Sequence, residues 1–537
     1  MEIWFIIVTI CLAALLKFIT NFFNQCNNKR KLPPGPRNIP VIGDFLWLRK
    51  SFSELEPFLR ELISKYGPLV TLRIGSRPAI FVGSHSLAHR ALIQNGAVFC
   101  DRPRAIATGR VLNSNQHNVS SAVYGPLWRL LRRNLNSEIL HPSRVKSFSH
   151  ARRSVLGILI RRLLEAESES APVKAVDHFQ YAMFCLLVLM CFGDKLDEDQ
   201  IKRVESVQRD LLLSFQRFNI LNFWPGVGKI VFRKRWSELY QLRRNQENVL
   251  IPLIHDRIKS KQERERKRRT DKSDNGVGDE EDGIVAYVDT LLDLELPDEK
   301  RKINDGEMVS LCGEFLSAGT DTTSTTFQWI MANLVKYPQI QAKLYEEISS
   351  IMGEPPSLQL SKGKEENIVF VKEDDLQKMT YLKAVVLEAL RRHPPGHFVL
   401  PHAVTEDVEL DGYLVPKNAS VNFMVAEMGL DPKVWENPTE FKPERFLMSA
   451  NDDDKNGGEL FDITGSREIK MMPFGAGRRI CPGAGLALLH LEYFVANLVW
   501  YFEWKAVDGD DVDLSEKQEF TIVMKNPLRA HITARVK

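Results

Sequence analysis

Phe474-Gly475-Ala476-Gly477-Arg478-Arg479-Ile480-Cys481-Pro482-Gly483 sets one cysteine between a pair of arginines and an apolar run. Pro482 suits the first position of a helix, where its missing N–H needs no partner. Leu486, Leu488, Leu489, Leu491 and Phe494 then continue as the pattern of a buried helix. Cys481 is thus predicted at a helix N-terminus, where the macrodipole and the unpaired N–H groups favour a thiolate. Glycines at 475, 477 and 483 let the backbone approach something flat and bulky. A buried free cysteine in a glycine-rich turn is the plain alternative. A thiolate held in this way suits the axial position of an iron centre.

The pattern Phe-x-x-Gly-x-Arg-x-Cys-x-Gly over these ten positions resembles the haem-binding loop of cytochromes P450. The resemblance implies haem b, with Cys481 as the metal ligand and Phe474 and Arg479 among the cofactor contacts. It has to be weighed against the rest of the chain.

On length alone 537 residues suit three or four domains. Hydrophobic content of 44% and charged content of 26% are ordinary for a globular protein. A net charge of +3 gives no argument for nucleic acid. Cysteines at 11, 26, 100, 185, 191, 312 and 481 include no C-x-x-C pair, which argues against a disulfide framework or a structural zinc site. No internal repeat appears, so a solenoid is not expected.

Residues 3–23 are mostly apolar and long enough to cross a bilayer as a helix. Lys17 can snorkel to the headgroups. A cleaved signal peptide would want a positive start and a small-residue cleavage site, whereas Glu2 comes first and Phe22-Phe23-Asn24-Gln25 follows the run. Lys29, Arg30 and Lys31 lie after it, so the positive-inside rule puts the body on the cytosolic side. The reading is an anchor over 1–24, a basic and proline-rich hinge over 25–40 around Leu32-Pro33-Pro34-Gly35-Pro36, and a body over 41–537.

Within the body, Leu69 to Ile74 and Ala79 to Val82 read as strands flanking a Gly75-Ser76-Arg77-Pro78 turn. Helix predominates beyond about residue 124. Trp128 and Arg132 are four apart on one helix face, where an indole N–H and a guanidinium can both bind a carboxylate. Residues 257–272 hold nine Lys or Arg, but Glu263, Glu265 and the acidic run at 279–282 make a solvated inter-helix linker the better reading than nucleic-acid binding. The longest helical pattern spans 306–336 and contains Ala318-Gly319-Thr320-Asp321-Thr322-Thr323, poor helix formers whose hydroxyls can bond back one turn and bend the helix. Glu388 and Arg391 form an i,i+3 pair, followed later by Phe441-Lys442-Pro443-Glu444-Arg445-Phe446.

These elements stand in the order found in P450s, and the resemblance runs from the anchor to the end of the sequence. It implies a P450 fold, mainly α with a small β region, behind a single N-terminal transmembrane helix. By the same resemblance Trp128, Arg132 and His402 (the last in a strand over Phe398-Val399-Leu400-Pro401-His402) bind haem propionates. Asp321 and Thr322 deliver protons in an oxygen-binding groove. Glu388, Arg391 and Arg445 lock the core near the thiolate. The stretches 95–103 and 137–142 look like plant A-type enzymes, most like family 89 subfamily A.

The implied function is haem-thiolate monooxygenation of a hydrophobic plant metabolite. O2 and NADPH are co-substrates, the latter through NADPH–cytochrome P450 reductase, with cytochrome b5 as a second electron partner, at the endoplasmic reticulum membrane. Arg132, Arg133, Arg478 and Lys470 are candidates for a basic docking face. Two other readings stand beside it: a reductase-independent P450 isomerase or dehydratase, and a non-catalytic haem-binding protein. Enzymes of the first kind often lack the distal acid and alcohol, and the second has no need of them. The expected pocket lining is the loop 105–123, the region 209–226, Phe315, Ala318, Phe398 to Leu400 (with Val399 at its centre) and Phe520 to Met524 with Thr521. Fatty acids, terpenoids, phenylpropanoids and linear tetrapyrrole breakdown products all suit so apolar a lining.

Overall fold

The computed structural model describes residues 32–36, 52–74, 77–168, 171–193, 196–222, 225–270, 285–357, 368–447, 461–507 and 511–536, with Thr9 and Ala13. Most of the expected anchor and hinge therefore lies outside the described residues. The chain divides into two units, one of residues 1–103 with 400–424 and the other of 104–399 with 425–537.

The smaller unit holds helix α1 (Phe52–Tyr66) and strands β1 (Leu69–Ile74), β2 (Arg77–Val82), β3 (His402–Ala403) and β4 (Ser420–Phe423), in sheet order β1-β2-β4-β3. The hairpin is tighter than expected. Pro78 pairs with Arg73 inside the ladder, and the parallel pairing of β2 with β4 starts only at Ala79 and Ser420, so the missing proline N–H costs no bond there. β3 is also shorter than the strand expected over Phe398–His402. The Arg102 guanidinium takes the carbonyls of Leu400 and Pro401 at 2.7 and 2.9 Å, and Pro401 has no N–H to offer a ladder.

The larger unit is mainly helical: α2 (Pro126–Glu138), α3 (Ser149–Ser168), α4 (Ala175–Phe192), α5 (Glu198–Ser214), α6 (Arg233–Thr270), α7 (Asp305–Lys336), α8 (Thr380–Arg392) and α9 (Ala484–Tyr501). Among the described residues α4 alone is long and apolar enough to cross a membrane, but 72% of it is buried inside the fold. It is a core helix, apolar beyond its first turns because most of it is covered. It packs on α7 closely enough that a Cβ at Gly319 would stand 2.6 Å from Leu187 Cδ1, and Phe179 stacks on Phe327 at 3.9 Å.

α7 starts on a capping box, with Asn304 accepting the Glu307 N–H and Glu307 accepting the Asn304 N–H, both at 2.9 Å. Its threonines do not break it. Thr322 Oγ1 donates to the Ala318 carbonyl at 2.6 Å and Thr326 Oγ1 to the Thr322 carbonyl at 2.8 Å, so both hydroxyls bond back one turn. Most of the helix is buried. Phe315, Ala318 and Thr322, at i, i+3 and i+7, are not fully covered and form one open face.

The basic run departs from expectation. α6 continues to Thr270, so residues 257–270 are helix and not linker. Arg257 is buried in a two-pronged pair with Asp289, at 2.9 and 2.6 Å, which draws the chain inward where composition suggests solvent. A small antiparallel sheet of Val173–Lys174, Phe502–Ala506 and Arg529–Ala534 closes the unit. Behind α7, Trp329 Nε1 donates to the Ile522 carbonyl at 2.9 Å.

Candidate active site

Gly475 and Gly477, both at φ +70°, turn the cysteine loop through conformations that a side chain would strain. The Cys481 N–H donates to the Phe474 carbonyl at 2.8 Å and closes the loop. Pro482 is not the first helical residue. Gly483 is the N-cap, its carbonyl accepting the Ala487 N–H at 2.8 Å, and α9 begins at Ala484. Cys481 therefore sits one turn ahead of the helix. Burial pushes its thiol up, while the Gly483 N–H and Arg132 pull it back. The expected depression by the helix start does not prevail in the protein alone. A bound metal would deprotonate the thiol outright.

Arg132 and Trp128 lie on α2 as the spacing predicts. Arg132 Nη2 donates to the Ile480 carbonyl at 2.7 Å, next to the cysteine. The Arg479 guanidinium lies over the Trp128 ring at 4.4 Å and its Nη2 donates to the Ala122 carbonyl at 2.7 Å. Arg478 Nη1 donates to the Tyr124 hydroxyl at 2.5 Å. Trp128, Arg132, Arg479, Phe474 and Cys481 are thus gathered at one place. His402 belongs to the smaller unit, buried, with Nδ1 2.6 Å from the Phe99 carbonyl.

Glu388, Arg391 and Arg445 also meet. Arg391 grips Glu388 with two donors at 2.7 and 2.8 Å, and Arg445 Nε reaches the same carboxylate at 3.1 Å. Arg391 further donates to the carbonyls of Gly429, Pro438 and Glu440 at 2.6, 2.9 and 3.1 Å. A buried guanidinium with so many partners is satisfied, not stranded.

On α7, Asp321 has neighbours that no local pattern announces. Burial pushes its carboxyl up to about 6; Arg209 of α5, 4.0 Å away, opposes the shift, while Glu205 and Glu519 add to it. Thr322 lies on the open face beside it. Of the expected pocket residues, Phe315 and Ala318 flank that face, with Phe315 5.0 Å from the Tyr287 ring. Val399 lies against the cysteine loop, its Cγ1 3.6 Å from where a Gly475 Cβ would stand. Phe520 is 48% exposed. Thr521 is buried, its hydroxyl 3.0 Å from Thr325 Oγ1.

These residues fit haem. Cys481 offers a single sulfur with no competing cluster, since no group of three His, Cys, Asp or Glu suited to a metal occurs among the described residues. Two guanidiniums and an indole beside it are donors of the kind that hold carboxylates. On the open face of α7 the exposed Ala318 offers the small side chain that a flat macrocycle requires.

The cytochrome P450 family model matches residues 33–533. Cytochrome P450 89A9 of Arabidopsis thaliana is 50% identical, covering 100% of this chain and 99% of that protein. Isoflavone 2'-hydroxylase of Medicago truncatula is 30% identical over 96% of this chain and 95% of its own. A solved zebrafish cytochrome P450 structure with abiraterone superposes with a TM-score of 0.68 at 22% identity, covering 90% of this chain and 100% of that one, a likeness of fold. The family uses haem b and O2 with electrons from NADPH through a reductase. From cysteine loop to distal helix, the chain is a member of the cytochrome P450 monooxygenase family, of the plant kind and most like subfamily A of family 89.

Proposed function

We propose that the chain inserts one atom of O2 into a hydrophobic plant metabolite, with residues 41–537 as the catalytic body on the cytosolic side of the endoplasmic reticulum membrane and 1–24 as its anchor. The reading rests above all on Asp321 and Thr322, an acid and an alcohol side by side on α7 and both only partly covered. Reductase-independent isomerases and dehydratases often lack that pair, and a haem sensor has no need of it.

Haem b, bound through Cys481, supplies oxygen activation. The chain's own residues do the rest. Trp128, Arg132 and Arg479 would hold the carboxylates of the haem, and His402 is proposed as a further propionate contact. Thr322 offers its hydroxyl at the open face while its proton is shared with the Ala318 carbonyl. Asp321, near neutrality in its titration, can both hold and release a proton at working pH. Phe315, Ala318, Val399, Phe520 and Thr521 are proposed to orient an apolar substrate and exclude water.

Thr322→Ala tests the reading. It is expected to keep haem and the thiolate spectrum but to divert NADPH-derived electrons into hydrogen peroxide. Full coupling of NADPH to product in that variant would refute the role of the hydroxyl. Spectral titration of the ferric protein with fractionated plant extracts identifies the substrate class, with linear tetrapyrroles, fatty acids, terpenoids and phenylpropanoids as the first panel. For the anchor, deletion of 1–24 should release the protein from alkali-washed microsomes; retention in the pellet would sink that part.

A further inference from the structure

Glu307, Ser310, Glu314, Ala318 and Asp321 recur at i, i+3, i+7, i+11 and i+14 and so form one stripe along α7. The second half of the stripe holds Asp321, proposed above to deliver protons. The first half grips a loop. Glu314 Oε2 accepts the Val119 N–H at 2.8 Å, and its Oε1 accepts the Ser120 N–H at 2.7 Å. Ser310 Oγ lies 2.7 Å from Ser114 Oγ, and Glu307 meets the His117 ring. Both oxygens of one carboxylate are thus spent on consecutive backbone amides, a charge-assisted clamp with no slack.

The clamped loop needs holding. Ser114, Asn115 and Gln116 stand in succession at φ +44°, +54° and +70°, a left-handed run that non-glycine residues rarely adopt. Gln116 ties the loop to itself, accepting the Ala105 N–H at 2.8 Å and donating to the Ser121 carbonyl at 2.6 Å. Its far end is fixed elsewhere: the Ala122 carbonyl takes Arg479 Nη2 at 2.7 Å, two residues from Cys481. One short segment therefore spans from the distal helix to the cysteine loop. Ala318 follows Glu314 by four residues, about 6 Å along the helix, so the clamp sits one turn from the open face.

We infer that Glu314 is a positioning residue that determines substrate selectivity: its carboxylate fixes residues 117–122 as one wall of the chamber over Ala318 and keeps the Ala122 carbonyl on Arg479. This deepens the monooxygenase reading and rests on it. Glutamine at 314 keeps one acceptor but turns an NH2 group toward the second amide, so Glu314→Gln should lie between the parent and Glu314→Ala.

The test uses the full-length, haem-loaded chain in detergent. The probes are 1-methylimidazole, 4-phenylimidazole and 1-dodecylimidazole, whose ligation is followed spectrally, together with hydrogen exchange of residues 113–122. Glu314→Ala is expected to keep the thiolate spectrum of the reduced carbon-monoxide complex. Exchange at Val119 and Ser120 should speed up at least tenfold, and the affinity ratio of bulky to small imidazoles should change at least fivefold, with Glu314→Gln intermediate. An unchanged ratio with unchanged exchange overturns the inference, and so does faster exchange spread evenly over the chain, which would mark a merely structural role. Failure of the parent protein to show the thiolate spectrum would instead strike the haem reading, and the exchange experiment would still decide the clamp.

Discussion

Asp321 is the titrating group beside the open face of α7. Burial pushes its carboxyl up to about 6, above the ordinary aspartate range, so the folded state binds this proton more tightly than the unfolded chain does. The associated stability is fully present below the unfolded value and is lost as pH rises through about 6, a term of at most about 3 kcal/mol. Asp321→Asn should therefore resist urea better than the parent at pH 7, by about 1–3 kcal/mol, with the gain vanishing near pH 4, while product formation falls at least tenfold. Unfolding curves at the two pH values, set beside turnover, check both signs. Cys481→Ser should lose the red-shifted Soret band of the reduced carbon-monoxide complex; an unchanged spectrum would falsify the ligand assignment. The places of both residues, though not their chemistry, were legible because their motifs are local. Arg209 and Glu205 were not, since α5 meets Asp321 only after folding and nothing within five residues of Asp321 hints at them.

α7 was legible nearly to its ends because its cap, its apolar periodicity and its last-turn lysine agree, and the threonines that lower helix propensity bond back within the helix. α6 was misjudged past residue 257, because charge density outweighed a pairing of Arg257 with Asp289 that no spacing rule exposes. The start of α9 was displaced for a similar reason: Pro482 satisfies the rule for a first helical residue, yet Gly483 caps instead. The lock around Arg391 yields two predictions at this scale. Arg391→Ala leaves the fully buried Glu388 without its main partner, at a cost of about 3–5 kcal/mol, and should be recovered without haem. Gly429→Ala reaches the same end by another route. Its Cβ would stand 2.4 Å from the Arg391 carbonyl oxygen, so α8 or the 429 turn must shift, and the ratio of haem to protein absorbance should drop.

For the molecule as a whole, the exposed Arg129 and Arg133 line an open cavity of about 550 Å³ together with Trp128, Arg132 and His141, on the helix that also carries the residues beside the cysteine. Arg132 and Arg478 are engaged with the Ile480 carbonyl and the Tyr124 hydroxyl, which leaves Arg129 and Arg133 better placed to meet an acidic electron donor. Exchanging both for glutamine should raise the reductase concentration needed for half-maximal turnover several-fold at low salt, with the difference fading as ionic strength screens it. Membership of the family was legible from five short motifs, whereas the long-range closures were not. Both units are completed late in the sequence: β4, at 420–423, pairs with β2 at 77–82, and the strand at 529–534 pairs with 173–174. The middle of α7 leans on the carbonyl of Ile522 and the hydroxyl of Thr521. During synthesis the central helix must therefore wait, partly unsupported, until residues 521–534 have emerged from the ribosome. Residues 521–534 follow every helix named above in the chain, so the back of α7 gains its support only after all of those helices have been made.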